Sequence, residues 1–108
     1  VSILSFGFST QMNTSLYLFM KKVQTLSITA QEKAYVEHQR IDMRVDSKIN
    51  VGDIEYYIPK DIVCDPVSFY YNAKGNISKG LTLRCQNANS KMKLVYQLGT
   101  GRVRLEKE

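Results

Sequence analysis

Seven lysines and arginines fall between Pro66 and Leu105, namely Lys74, Lys79, Arg84, Lys91, Lys93, Arg102 and Arg104, with no Asp or Glu among them. Cations without counter-charges attract phosphates, and the attraction fades with salt. Side chains alternate across a strand. If Leu83, Leu94 and Val103 face a core, then Arg84, Lys93, Arg102 and Arg104 project from the opposite face, with Lys91 beside them. These five are the candidate DNA contacts. Tyr70 has outward parity on its own strand and could stack on a base. The competing reading is a solvated sheet face, or an edge guarded by lysines. The formal net charge is +5. Residues 1–54 contribute +1 and residues 55–108 contribute +4, so the excess belongs to the second half.

Other residues that could do chemistry are sparse. Cys64 and Cys85 are too far apart for a CxxC redox or zinc motif. Joined, they would close a loop of about 22 residues, worth on the order of 3 kcal/mol. Unjoined, they would be two buried thiols acting as small apolar side chains. An extracytoplasmic location favours the bond, and spacing alone leaves both open. His38 is the only histidine, placed where helix gives way to strand, and reads as a surface or capping residue. No serine sits in a GxSxG elbow, and the glycines form neither GxGxxG nor a P-loop. Gly75, Gly80, Gly99 and Gly101 fall where hairpin turns need positive φ. The carboxylates Asp42, Asp46, Asp53, Glu55, Asp61 and Asp65 are spread without metal-ligand grouping. Asn13-Thr14-Ser15 and Asn76-Ile77-Ser78 match the glycosylation pattern, a weak signal. No catalytic residue, cofactor, metal or small-molecule substrate is expected, and the chain does not read as an enzyme.

The elements that must position these residues divide near Ala34. Before it, Met12, Leu16, Phe19, Val23, Leu26, Ala30 and Ala34 recur at helical spacing, and no Gly or Pro interrupts from Phe8 to Gly52. Tyr17, Leu18 and Ile28 lie off that stripe, either as scattered surface apolars or as a second contact face. From Val36 the period falls to two. Ile41, Met43 and Val45 alternate with charged residues, Ser47 to Gly52 reads as a turn, and 53–58 reads as a strand. Val67, Phe69 and Tyr71 alternate, as do Leu81, Leu83 and Cys85, then Met92, Leu94, Tyr96 and Leu98, before a last strand over 102–105. Short links make the strands antiparallel. The expected fold is α+β: one domain over 1–108, with a long N-terminal helix over 1–35 packed on a single meandering antiparallel sheet over 36–108. The apolar opening run Val1-Ser2-Ile3-Leu4-Ser5-Phe6-Gly7-Phe8 reads as the end of a more hydrophobic segment upstream. It is too short to span a bilayer, which takes roughly 20 apolar residues.

The run Lys93-Leu94-Val95-Tyr96-Gln97-Leu98-Gly99-Thr100-Gly101-Arg102-Val103-Arg104-Leu105 resembles the closing hairpin of type IV pilin-like minor subunits. Val1-Ser2-Ile3-Leu4-Ser5 resembles the later part of their membrane helix, and Ala30-Gln31-Glu32-Lys33-Ala34 its exit into the first strand. The likeness, nearly chain-long in order and pattern, is to ComGD-type minor pseudopilins of Gram-positive competence pili, related to the GspH/FimT pseudopilins. The family's defining signature is a prepilin peptidase site followed by Phe and, at the fifth mature position, Glu. It is not within the chain, so leader processing is implied by resemblance only. The resemblance implies a subunit that spans the membrane once and is then drawn by an ATP-driven machine into a surface pilus for DNA uptake. There it would prime assembly or join the tip complex, with other major and minor pseudopilins as partners. It places Phe6, Phe8, Met12, Leu16 and Leu18 at subunit interfaces, and Leu26, Ala30 and Ala34 in the globular part. Alternatives are a GspH-like pseudopilin of a type II secretion system and a secreted soluble helix-and-sheet binding domain.

Overall fold

The computed structural model describes residues 2–99 and 102–108, with side chains inside the helix described from Ser15 onward. The fold is α+β, with one N-terminal helix and two antiparallel sheets. Helix α1 spans Ser2–Glu37. Its core-facing line is Leu16, Met20, Val23, Ser27, Ala30 and Ala34, all buried, with Phe19 buried on one flank and Leu26 half-buried. The expected stripe passed through Leu26. The buried line instead passes through Met20 and Ser27, because a hydroxyl that finds partners can lie at a core position.

The helix ends on a backbone device rather than on a glycine. His38 takes the left-handed conformation at φ 54, and Gln39 N donates to Ala34 O at 3.2 Å. This is the six-to-one bond of a Schellman cap. A residue with a Cβ is strained in that conformation by about 1–2 kcal/mol. His38→Gly is therefore expected to raise stability by about 1 kcal/mol, read as a higher midpoint in urea. A fall would show that the His38 side chain contributes more than its backbone strain costs.

Strands β1 Ile41–Val45, β2 Lys48–Val51 and β3 Ile54–Tyr57 form a local meander. Strand β4 Val63–Cys64 leaves it, and β5 Val67–Tyr71 returns to pair with β1. Strands β6 Leu81–Gln86, β7 Lys91–Tyr96 and β8 Val103–Lys107 complete a second sheet. The strand orders are β3-β2-β1-β5 and β4-β6-β7-β8. The expected single meander is thus two sheets. Pro59 and Pro66 flank β4, and proline cannot donate to a ladder. Ser47 to Gly52 is not simply a turn, since Ile49 is buried and pairs with Val45 on β1. Gly52, Gly75 and Gly99 have positive φ, whereas Gly80 does not and Gly101 lies outside the described residues.

Both sheets turn their apolar faces to the helix. Met43, Phe69 and Tyr71 come from one sheet, and Leu83, Leu94 and Tyr96 from the other. Phe69 joins them, its ring centroid 4.9 Å from that of Tyr96 and 5.7 Å from that of Tyr71. Two glutamines secure the helix flank, Gln24 Nε2 donating to Val103 O at 2.7 Å and Gln31 Nε2 to Gly75 O at 2.9 Å. The second bond brings Gly75 so close that a Cβ there would meet Tyr35 Cβ at 3.2 Å. Only glycine suits both that approach and the φ of +79°.

Candidate nucleic-acid interface

The second sheet places the candidate cations as strand parity requires. Leu83 and Leu94 are buried and Val103 is half-buried, so Arg84, Lys93 and Arg104 emerge on the far face. Arg84 lies opposite Lys93, which lies opposite Glu106, and Gln86 lies opposite Lys91. Arg102 is exposed just before β8, where its carbonyl accepts from Gln97 N at 2.9 Å. All five candidate residues therefore gather around β6, β7 and β8.

Carboxylates gather with them. Glu106 Oε1 is 3.8 Å from Lys93 Nζ, and Glu106 Oε2 is 3.3 Å from Arg104. Glu108 holds Arg84 at 2.9 Å. Asp65 joins the same face because its N–H donates to Arg84 O at 2.9 Å. A recess of about 320 Å³ beside β4 is lined by Asp65, Arg84, Lys91 and Glu108 among others. Five cations against Asp65, Glu106 and Glu108 leave the face at +2. Counter-charges this close satisfy Arg84, Lys93 and Arg104 locally, and exposed pairs of this kind add little stability. The sequence window that ended at Leu105 missed Glu106 and Glu108, and nothing local tied Asp65 to Arg84.

Tyr70 does not belong to this face. It lies on β5 in the other sheet, opposite Asp42, and the Arg40 guanidinium sits 3.6 Å from its ring centroid. Arg40 is also bonded to Asp42 at 2.9 Å. The ring that was to stack on a base is already stacked on a cation.

Cys64 and Cys85 are disulfide-bonded, directly opposite each other on β4 and β6 with Cα atoms 4.0 Å apart. Among the interface candidates, Phe6, Phe8 and Met12 lie outside the residues whose side chains are described. Leu16 is fully buried in the chain's own core and has no surface to offer a neighbour, which corrects its assignment to an interface. Leu18 is 59% exposed, and Tyr17 and Ile28 are exposed with it. Among the described residues no group of His, Cys, Asp and Glu could hold a metal, and no helix is long and apolar enough to cross a membrane.

Two buried phenols remain among the described residues. Tyr96 OH is 2.7 Å from Ser27 Oγ, which itself donates to Val23 O at 2.9 Å. Burial pushes the Tyr96 phenol up to about 12, opposed in part by the Ser27 bond. Tyr71 OH is buried without a hydrogen-bond partner, and burial first, then the neighbouring Tyr96, pushes its phenol well above the ordinary value. Comparison with family models, with curated proteins and with solved structures finds no match.

Proposed function

We propose that the chain is a minor pseudopilin of a competence pilus, a subunit that primes assembly or joins the tip complex in DNA uptake. One observation carries the reading. A single N-terminal helix, opening on an apolar run, inserts its later part from Leu16 onward against two antiparallel sheets. Its other side keeps Leu18 and Ile28 exposed. That division suits a subunit whose helix serves both its own core and its neighbours. The Cys64–Cys85 bond supports residence outside the cytoplasm, where disulfides persist. In this reading the subunit sits in the membrane before assembly and at the cell surface afterwards, with the other pseudopilins as partners.

Deleting the gene in its native cell tests the reading: surface pili and transformation should fall to the level of a strain lacking the pilus ATPase. Wild-type pili and transformation in the deletion strain would sink it. Within the reading, helix and sheet face predict different variants. Leu18→Glu with Ile28→Glu is expected to abolish pili, because two charges would enter a subunit contact. Lys93→Glu with Arg102→Glu and Arg104→Glu is expected to leave pili and DNA capture intact, since Glu106 already neutralises part of that face. Intact pili with lost DNA capture in the triple variant would instead assign DNA contact to this face.

A further inference from the structure

Both outer sheet faces are largely occupied by their own side chains. The first carries Arg40–Asp42, Arg44–Asp46 and Lys48–Glu55 pairs, and the second carries pairs made by Glu106 and Glu108. The free chemistry lies at the edge of the first sheet. Strand β3 is an edge strand, and its apolar side is only partly covered: Ile54 is 52% exposed, while Tyr56 and the facing Leu26 are half-buried. Behind it runs a groove of about 510 Å³ between α1 and the β2–β3 turn, floored by Leu26, Ala30, Ile41, Val51, Ile54 and Tyr56.

The backbone there is open. Gly52 N donates to Asp42 O at 2.8 Å, so Gly52 pairs toward β1 and Val51 pairs toward Ile54 across the two-residue turn. Hydrogen-bonded and open pairs alternate along an antiparallel ladder. Ile54 and Tyr56 therefore bond to β2, and the N–H and C=O of Glu55 and Tyr57 point out of the sheet edge.

Charge indicates what fits. Lys33 lines the groove and Lys22 stands 5.4 Å over the Tyr56 ring. Neither has a carboxylate within ion-pair distance among the described residues. Of the two carboxylates lining the groove, Asp42 is held by Arg40 and Asp53 sits at the turn.

We propose that β3 and this groove dock an extended segment of another protein whose helix-facing side chains are apolar at two successive positions and acidic on either side of them. The segment adds as a fifth strand beside β3. Its backbone bonds Glu55 and Tyr57, its apolar side chains complete the cover over Ile54 and Tyr56, and its carboxylates meet Lys33 and Lys22. This is strand addition, in which main-chain bonds supply affinity and side-chain pockets supply specificity. It does not depend on the pilus reading.

The probe is a capped synthetic peptide Glu-Thr-Val-Thr-Val-Thr-Glu, which puts both Val and both Glu on one face of a strand, titrated into the isotope-labelled protein and followed by NMR. Amide signals of residues 54–57 and of Leu26 and Lys33 should move, and exchange of the Glu55 and Tyr57 amides should slow by about tenfold or more at saturation. Lys33→Glu should weaken binding about tenfold, near 1.4 kcal/mol, and favour the same peptide with Lys in place of Glu. Tyr57→Pro removes one outward N–H at a position where an edge strand tolerates proline, and should abolish the slowed exchange. The fold of each variant is checked by the unchanged Leu83 and Leu94 signals. Absence of binding, equal binding of the Lys-for-Glu peptide to the parent protein, or shifts confined to the outer sheet faces would each overturn the proposal. So would concentration-dependent shifts at β3 without peptide, which would make the occupant a second copy of this chain.

Discussion

Replacing Cys64 and Cys85 together by alanine is expected to destabilise the protein by about 2–4 kcal/mol. For a domain of this size that lowers the melting temperature by on the order of 10–20 °C. Strand β4 has two residues, and beyond its pairing with Gln86 and Cys85 the segment has the Asp65 N–H bond to Arg84 O and a local turn bond from Ile62 N to Pro59 O. So short a strand does not hold an edge unaided. Yet the segment around it buries Ile62 to 4% exposure and sets Asp65 beside Arg84. The covalent link removes loop-closure freedom from the unfolded chain. The double variant is the informative one, because a single substitution leaves a free thiol at the buried Cys85 or at Cys64. Thermal melts of the parent with and without a thiol reductant, beside the double variant, measure the effect. A loss below about 1 kcal/mol would show that Ile62 burial and the ladder hold the segment without the bond.

The helix and the strand faces were legible in the sequence because both rest on short periods. Leu16, Val23, Ala30 and Ala34 fall on the buried line predicted from 3.6-residue spacing. Leu83 and Leu94 lie on the inward faces predicted from alternation. Ser27 does not register in the apolar spacing because serine is polar, and only its partners Val23 O and Tyr96 OH make it a core residue. Lys48–Val51 was hidden by turn-forming neighbours on both sides, although Ile49 and Val51 alternate with Lys48 and Asn50. The division into two sheets has no local sign. Val67, Phe69 and Tyr71 show which face β5 buries, but not that its partner is β1, more than twenty residues upstream, rather than its neighbour in sequence. The candidate site failed in the same way. Its cations share a face by parity, and Glu106 and Glu108 share it too but lie past the expected strand end at Leu105, whereas the meeting of Glu106 with Lys93 and the arrival of Asp65 depend on cross-strand register and on a segment fastened by the disulfide.

The buried tyrosines allow a second large effect to be assigned to two atoms. Ser27→Ala is expected to cost about 1–3 kcal/mol, because it leaves the Tyr96 hydroxyl buried without an acceptor. Tyr96→Phe removes the same bond from the other side but leaves Ser27 bonded to Val23 O, so its cost should be nearer 1 kcal/mol. The double variant should cost less than the sum of the two, because the orphaned hydroxyl is gone. Tyr71→Phe sets the contrast: its hydroxyl has no partner to lose, so the change should be neutral or stabilising. Alkaline pH provides an independent readout. The phenol of Tyr96 is pushed from 10.0 up to about 12, and that of Tyr71 is raised in the same direction, so the folded state prefers both protonated. Their contribution is fully present below pH 10, where the unfolded phenol keeps its proton. It is lost as pH climbs through the folded value of Tyr96 near 12 and on toward that of Tyr71. Midpoints of urea unfolding measured from pH 9 to beyond pH 11 should fall steeply in the parent and less in Tyr71→Phe with Tyr96→Phe. Equal slopes in the two proteins would remove the tyrosines as the cause, and an additive Ser27/Tyr96 cycle would show that the 2.7 Å contact carries no coupling energy.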